Sequence, residues 1–93
     1  MKQTTMTREE IDEFCDIASP NDSIIVPDGL DGAFIGIATE AEPPQAVYSI
    51  ERCVQILAKD MSREEAEEYF WFNVAGSQGE GFPLYISTPE EIY

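Results

Sequence analysis

The chain of 93 residues has no histidine, only two cysteines and only five lysines and arginines. Without an imidazole it cannot form a His-based catalytic triad or complete a His-containing zinc site. Cys15 and Cys53 form no CxxC motif. Because each falls on the apolar stripe of a predicted helix, we interpret both as reduced core residues. No hydrophobic run has the length of a membrane span or the character of a signal-peptide core. We therefore expect a cytoplasmic protein that is not an enzyme and holds no metal or cofactor.

Charge of one sign dominates the sequence. Nineteen aspartates and glutamates give a formal net charge of −14, which repels nucleic acids and anionic membranes and attracts basic partners. Hydrophobic residues nevertheless make up 43% of the chain, and aromatic residues alone make up 11%. This content is enough for one hydrophobic core, so we predict a single domain over residues 1–93.

One short cassette recurs along the chain. Residues 6–14 (MTREEIDEF) return at residues 61–69 as MSREEAEEY, and a shorter echo, TPEEI, occupies residues 88–92. Each copy has a Ser or Thr followed three residues later by Glu, which is the capping box that begins a helix. The pairs are Thr7 with Glu10, Ser62 with Glu65, and Thr88 with Glu91. The recurrence therefore predicts three helix starts.

The hydrophobic pattern predicts an α+β fold. Apolar residues at i, i+3, i+4 and i+7 predict a helix over residues 8–18. Its core-facing residues are Ile11, Phe14, Cys15 and Ala18. The later elements are an extended segment at 23–26, an antiparallel hairpin of strands at 33–38 and 46–48, a helix from 50 to about 59, a helix at 63–74, a strand at 83–87 and a helical turn from 88. The order α-β-β-α-α-β is typical of a small antiparallel sheet of about three strands packed against two to three helices.

Two rows of acidic residues on the first and third helices exceed what helix capping requires. The helix dipole explains acids in the first turn, but acids four residues apart repel each other and cost about 0.2–0.5 kcal/mol per pair. The residues are Glu9, Asp12, Glu13 and Asp16 on the first helix, and Glu64, Glu67 and Glu68 on the third. Such rows either form a solvated face or bind a partner. Because helical carboxylates approximate the spacing of phosphates, the rows predict a protein that imitates nucleic acid and occupies a basic groove of another protein.

Four consecutive aromatic residues occupy positions 69–72 of the third helix. Successive helical positions are about 100° apart, so these side chains cannot share one face. The residues expected to face the sheet are Ala66, Tyr69, Phe70 and Val74. Trp71 or Phe72 then points elsewhere. These two are either covered by the first helix or the 76–82 turn, or they form a self-association surface of a homodimer.

Two glycine-containing segments resemble ligand-binding loops only superficially. Residues 76–81 (GSQGEG) lack the Lys-Ser/Thr ending of a phosphate loop and follow a helix rather than begin one, which favours a helix C-cap and turn. Residues 28–32 (DGLDG) contain calcium-type ligands without the twelve-residue loop or its bidentate glutamate. The alternatives are a weak cation site at 28–32 and a small-molecule or nucleotide-signal site near 76–81. The net charge disfavours anionic ligands at either place.

Several segments together carry a resemblance to a family of proteins. They are GAFIGI at 32–37, AVYS at 46–49, MSREEAEEYF at 61–70 followed by Asn73 and Val74, and GEG at 79–81 before PLYI at 83–86. Over about residues 30–88, the chain resembles small uncharacterised proteins of bacteria and their phages. The resemblance implies no activity. A phage origin would favour an inhibitor of a host protein, since acidic nucleic-acid mimics recur among anti-restriction and anti-CRISPR proteins. Within this region we expect Asn73 to bond the turn that follows it.

We therefore predict a non-enzymatic acidic module that binds a basic, nucleic-acid-binding host protein through the two acidic rows, without direct contact to nucleic acid or membrane. The strongest form of this prediction is a phage-encoded anti-defence inhibitor. Two alternatives stay open. One is a homo-oligomeric accessory protein that associates through Trp71 and Phe72, and the other is the small-molecule binder.

Overall fold

A computed structural model of the chain describes residues 6–76 and 81–89. Its elements, in chain order, are α1 (Arg8–Ala18), a 3₁₀ turn (Asp31–Ala33), β1 (Phe34–Ala38), β2 (Gln45–Ser49), α2 (Ile50–Leu57), α3 (Arg63–Tyr69), a π-helical turn (Phe70–Val74) and β3 (Leu84–Ile86). The predicted α+β class and the order α-β-β-α-α-β are confirmed. None of the helices in this part of the chain combines the length and the apolar character needed to cross a membrane.

Local sequence determines where two of the helices begin. At α1, the Thr7 hydroxyl accepts a hydrogen bond from the Glu10 amide at 3.2 Å, and the Glu10 carboxylate accepts one from the Thr7 amide at 2.9 Å. The same reciprocal pair begins α3, where Ser62 and Glu65 are joined at 3.1 and 3.2 Å. Each pair satisfies two amides that have no partner within the helix. Both predicted capping boxes are thus confirmed.

Ser49 links the end of β2, the start of α2 and the last described segment. Its hydroxyl accepts from the Arg52 amide at 3.2 Å and lies 3.1 Å from the hydroxyl of buried Thr88. This contact holds the segment after β3 against the start of α2. The capping box predicted between Thr88 and Glu91, and the helical turn it would begin, extend outside the described residues.

The three strands form one sheet with β2 at its centre. β1 and β2 pair antiparallel, as the predicted hairpin requires, with a register shift between Phe34 and Gly36. β3 pairs parallel to β2, so the sheet is mixed rather than wholly antiparallel. The reason is that α2, α3 and the π-helical turn all lie between β2 and β3 and return the chain to the end of the sheet where β2 begins, as a crossover connection does.

Aromatic side chains form a continuous row across the sheet. Phe34, Tyr48 and Tyr85 are register partners on the three strands, and their neighbouring ring centroids are 5.6 and 6.0 Å apart. α1 adds Phe14, whose ring is 6.1 Å from Phe34, and the π-helical turn adds Phe70, whose ring is 5.2 Å from Tyr85. Edge-to-face pairs contribute about 0.5–1.5 kcal/mol each beyond burial. The row therefore joins α1, the sheet and the π-helical turn into one core.

The buried face is narrower than predicted on two of the helices. On α1 and on the third helix, the residues at i and i+4 are buried, but the residue at i+3 is not. The buried pairs are Ile11 with Cys15, and Ala66 with Phe70. Phe14 is 41% exposed and Tyr69 is 45% exposed. Tyr69 was predicted to face the core and does not, whereas Phe14 lies at the margin of the core with its ring packed on Phe34.

The two cysteines are buried and free. Burial raises the pKa of both thiols, and it raises that of Cys53 to about 12. A thiol with so high a pKa stays protonated and is a poor nucleophile. Their interpretation as reduced core residues is confirmed.

Candidate interaction surface

The seven acidic residues singled out by the sequence all lie exposed on α1 and α3. The two helices have different neighbours: α1 packs on β1, whereas α3 packs on α2 and leads into the π-helical turn. The two acidic rows are therefore held in place independently of each other. The acids within each row differ in whether a basic side chain pairs with them.

Arg8 neutralises one acid of the α1 row. Its Nε lies 3.2 Å from Asp12 Oδ1, and its Nη1 lies 2.7 Å from Asp28 Oδ1. The arginine thus bridges the acid one turn later in its own helix to an acid of the loop before β1. Asp12 shares a cation and is the least available member of its row.

Arg63 has the same two-sided arrangement on α3. Its Nε lies 3.3 Å from Glu67 Oε2, and its two Nη atoms donate to both carboxylate oxygens of Glu51 at 2.9 and 2.6 Å. This bidentate pair, with a further hydrogen bond from Gln55, lowers the pKa of Glu51. Glu67 therefore shares a cation, as Asp12 does.

Five acids of the two rows have no cationic partner among the residues that the structure describes. They are Glu9, Glu13 and Asp16 on α1, and Glu64 and Glu68 on α3. Acids one turn apart, at 9 and 13 and at 64 and 68, repel each other. Asp16 also lies in the last turn of α1, which contains no basic residue, although the helix dipole favours a cation there. The structure thus divides the seven predicted residues into two neutralised acids and five uncompensated ones.

Each acidic row borders a shallow groove with exposed apolar side chains. The α1 groove has a volume of about 300 Å³ and is lined by Glu10, Glu13, Phe14 and Ile17. The α3 groove has a volume of about 480 Å³ and is lined by Met61, Glu65, Glu68, Tyr69, Phe72 and Asn73. Ile17 and Phe72 are 73% and 81% exposed, more than any other large apolar residue described. Sequence reasoning missed Ile17, although an isoleucine outside the apolar stripe of an amphipathic helix was a usable signal.

Trp71 and Phe72, the predicted self-association pair, are both exposed but do not form one patch. Phe72 lies in the α3 groove. Trp71 is 55% exposed, packs edge-on against Phe70 at 5.1 Å, and lines a separate groove with Leu84 of β3. The two neighbouring side chains therefore point toward different parts of the surface.

A pocket of about 470 Å³ lies between α2 and the 28–32 segment. Its polar lining consists of Asp31, Arg52, Gln55 and Lys59, with Gly29 and Gly32. Two cations line this pocket, and the nearby Asp28 is paired with Arg8, so the arrangement disfavours the cation site considered for residues 28–32. Across residues 6–76 and 81–89, no three acidic or cysteine side chains converge to hold a metal ion.

The glycine-rich turn considered as a ligand loop falls partly on residues 77–80, which lie outside the described residues. Backbone geometry explains why glycine stands at each of the two described ends of this turn. A Cβ on Gly76 would lie 2.8 Å from the Phe72 carbonyl oxygen, and Gly81 has a φ of +81°, in the left-handed region that glycine adopts at little cost. Asn73, expected to bond this turn, lines the α3 groove.

Two buried oxygens in the described part of the chain have no hydrogen-bond partner: the Tyr48 hydroxyl and Asp31 Oδ1. Burial, and then the charge of Asp31, raises the pKa of Tyr48. The Tyr48 side chain is 0% exposed, so its neutral phenol has no access to a substrate. It is a feature of the core and no part of the interaction surface.

No protein-family model matches the sequence, and no curated protein and no solved structure matches it either. The surface described above is therefore the basis for assigning a function.

Proposed function

We propose that this protein is a non-enzymatic acidic module that binds a basic protein through the exposed faces of α1 and α3. The observation that carries the proposal is uncompensated charge: five exposed carboxylates lack a cationic partner among the described residues, in a chain of net charge −14. A surface that serves only solubility mixes both signs. Here Arg8 and Arg63 are held by other carboxylates, and no described cation pairs with the five acids.

The strongest form of the proposal is a partner whose basic groove ordinarily binds nucleic acid. Acids at i and i+4 have Cβ atoms about 5–6 Å apart, a spacing of the same order as the axial step of about 3.4 Å between phosphates of one DNA strand. Rows of this kind steer association with a basic groove and compete with nucleic acid for it. If the expected resemblance of residues 30–88 to small proteins of bacteria and their phages reflects a phage origin, the proposal extends to an anti-defence inhibitor that acts in the host cytoplasm.

The test uses two charge-reversal variants with the same change of net charge. Glu13→Lys with Asp16→Lys alters the α1 row, and Glu40→Lys with Glu42→Lys alters two exposed residues between β1 and β2. Each protein is immobilised, incubated with bacterial lysate at low and high salt, and then washed with duplex DNA. We expect the native protein to retain DNA-binding proteins that high salt or DNA releases.

The α1 variant should lose these partners and the β1–β2 variant should keep them. As a control for misfolding, both variants should unfold thermally at temperatures close to that of the native protein. Equal loss in both variants would mean that net charge alone is recognised, and would contradict the assignment to the α1 row. If duplex DNA does not release the captured proteins, nucleic-acid mimicry is contradicted. The proposal is then reduced to an acidic module that binds a basic protein.

A second candidate function, self-association through Trp71 and Phe72, is favoured by their exposures of 55% and 81%. Two observations weigh against it. The side chains line different grooves, and Phe72 stands beside Glu65 and Glu68, so a second copy would meet like charge. Light scattering decides between the two: we expect the mass of a monomer, whereas a dimer that Trp71→Ala or Phe72→Ala dissociates would favour self-association.

A further inference from the structure

The grooves on α1 and α3 are built from equivalent residues. Their shared lining positions differ in number by 55, which is the spacing of the recurrent cassette. The pairs are Glu10 and Glu65, Glu13 and Glu68, Phe14 and Tyr69, and Ile17 and Phe72. The last pair lies beyond the segment in which the two copies match in sequence. The equivalent groove-lining positions therefore extend beyond the segment in which the sequence itself recurs.

Exposure and ion pairing repeat as well. The aromatic residue of each groove is 41% and 45% exposed, and the large apolar residue one turn later is 73% and 81% exposed. Arg8 and Arg63 reach the acid one turn later at 3.2 and 3.3 Å. In both copies the arginine is thus directed to that acid, and the groove glutamate, Glu13 or Glu68, has no cationic partner among the described residues.

From this equivalence we infer that the two grooves are chemically similar docking sites, so that one chain binds two copies of the same basic amphipathic segment. The inference rests on the proposed function and specifies the partner: a segment with a large apolar side chain next to Lys or Arg. A partner that carries two such segments, as a tandem repeat or a dimer, would gain about 10²–10⁴-fold in avidity over one groove.

The chemistry of the grooves selects this occupant. An apolar side chain of the partner would cover Ile17 or Phe72 and remove their exposed surface from water. A neighbouring Lys or Arg would reach the carboxylate of Glu13 or Glu68 in a charge-assisted hydrogen bond. A second copy of this chain would bring glutamate against glutamate, and nucleic acid would bring phosphate against glutamate. Both are like-charge contacts.

The test is a calorimetric titration of the full chain with two synthetic peptides. The first has about 14 residues, or about four helical turns, with leucines one turn apart on one face and lysines beside them. The second has the same composition with the leucines dispersed. We expect the native protein to bind two equivalents of the first peptide with similar affinities, at least about tenfold more tightly than the second.

Variants assign the sites. Ile17→Ser and Phe72→Ser should each reduce the stoichiometry from two to one, and the double variant should bind none. Ile35→Ser replaces a 44% exposed isoleucine outside both grooves and should still bind two. All three substituted side chains are solvent-exposed, and circular dichroism checks that each variant is folded.

Each remaining outcome decides between the inference and the proposed function. One equivalent bound to the native protein, or two that survive both groove substitutions, would overturn the equivalence of the grooves. If both peptides bind equally and salt weakens both, the grooves do not select an amphipathic segment. The proposed function as an acidic module would still hold. If neither peptide binds at about 0.05 M salt, where screening is weak, the grooves do not dock such a segment and the inference fails, whereas the capture from lysate decides the proposed function separately.

Discussion

Removing one buried oxygen atom is a sharp test of how this core is arranged. Tyr48 lies on the central strand, is 0% exposed, and has a hydroxyl with no hydrogen-bond partner among the described residues. Tyr48→Phe deletes that oxygen and keeps the ring contacts with Phe34 and Tyr85, at 5.6 and 6.0 Å. We therefore expect the variant to be more stable than the native protein.

The size of the gain follows from the cost of an unsatisfied buried group. Leaving such a group without a partner costs about 1–3 kcal/mol. The small void left by the oxygen offsets part of this gain. We expect the free energy of unfolding to rise by about 1–2 kcal/mol. In a domain of this size, each kcal/mol corresponds to a rise of about 4–8 °C in Tm.

The same variant should change the response to alkali. Because the pKa of Tyr48 is raised above its usual 10.0, the folded state keeps a proton that the unfolded state releases. The stability from this group is complete below about pH 10 and falls as pH rises toward its folded pKa, by about 1.4 kcal/mol per pH unit. Tyr85 and Cys53, whose pKa values burial raises to about 12, act in the same direction. Tyr48→Phe removes one of these three contributions.

Urea unfolding at about pH 7 and about pH 11, on either side of the ordinary tyrosine pKa, measures both effects. Tyr85→Phe is the matched control at neutral pH, since Tyr85 is only half-buried and its hydroxyl is not among the unsatisfied buried atoms; in alkali it removes a contribution of its own. We expect Tyr48→Phe to exceed the native protein in stability at neutral pH, and the difference to widen in alkali. A variant that is less stable than the native protein at pH 7 would show that the hydroxyl is hydrogen-bonded, and would refute the reasoning.

Other features of the fold make separate predictions. Gly76→Ala should destabilise the domain by about 1–3 kcal/mol, because the new Cβ would lie 2.8 Å from a backbone carbonyl oxygen. Gly36→Ala is the control, since a Cβ there meets nothing within 4 Å. Equal losses of stability in urea unfolding would contradict this packing. Arg63→Gln should cost about 0.2–1 kcal/mol, since the Arg63 side chain is 52% exposed although it binds Glu51 twice. This contribution is present above the ordinary glutamate pKa of 4.5 and is lost as pH falls through the lowered pKa of Glu51, and a loss that neither salt nor acid reduces would argue against the ion pair. Both cysteines should react with a thiol reagent only after unfolding, because burial keeps them protonated; rapid labelling of the native protein would show that they are accessible.

The acidic surface shows how far sequence reasoning reached. That both rows lie exposed on α1 and α3 was predictable, because helix starts and i, i+4 spacing are properties of a few neighbouring residues. Which acids keep their charge was not predictable. Arg8 and Arg63 are shared with Asp28 and Glu51, which lie in other elements and far from the arginines along the chain.

The sequence by itself determined the helix starts, the α+β class and the side of each helix that faces the core, because capping boxes and periodic burial depend on residues within one or two turns. Only the tertiary structure decided that β3 runs parallel to β2, that Phe14 and Tyr69 are partly exposed, and that Trp71 and Phe72 line different grooves. Strand direction and exposure depend on which elements approach a given face. Contacts between residues far apart in the chain determine that approach, and no local pattern encodes them.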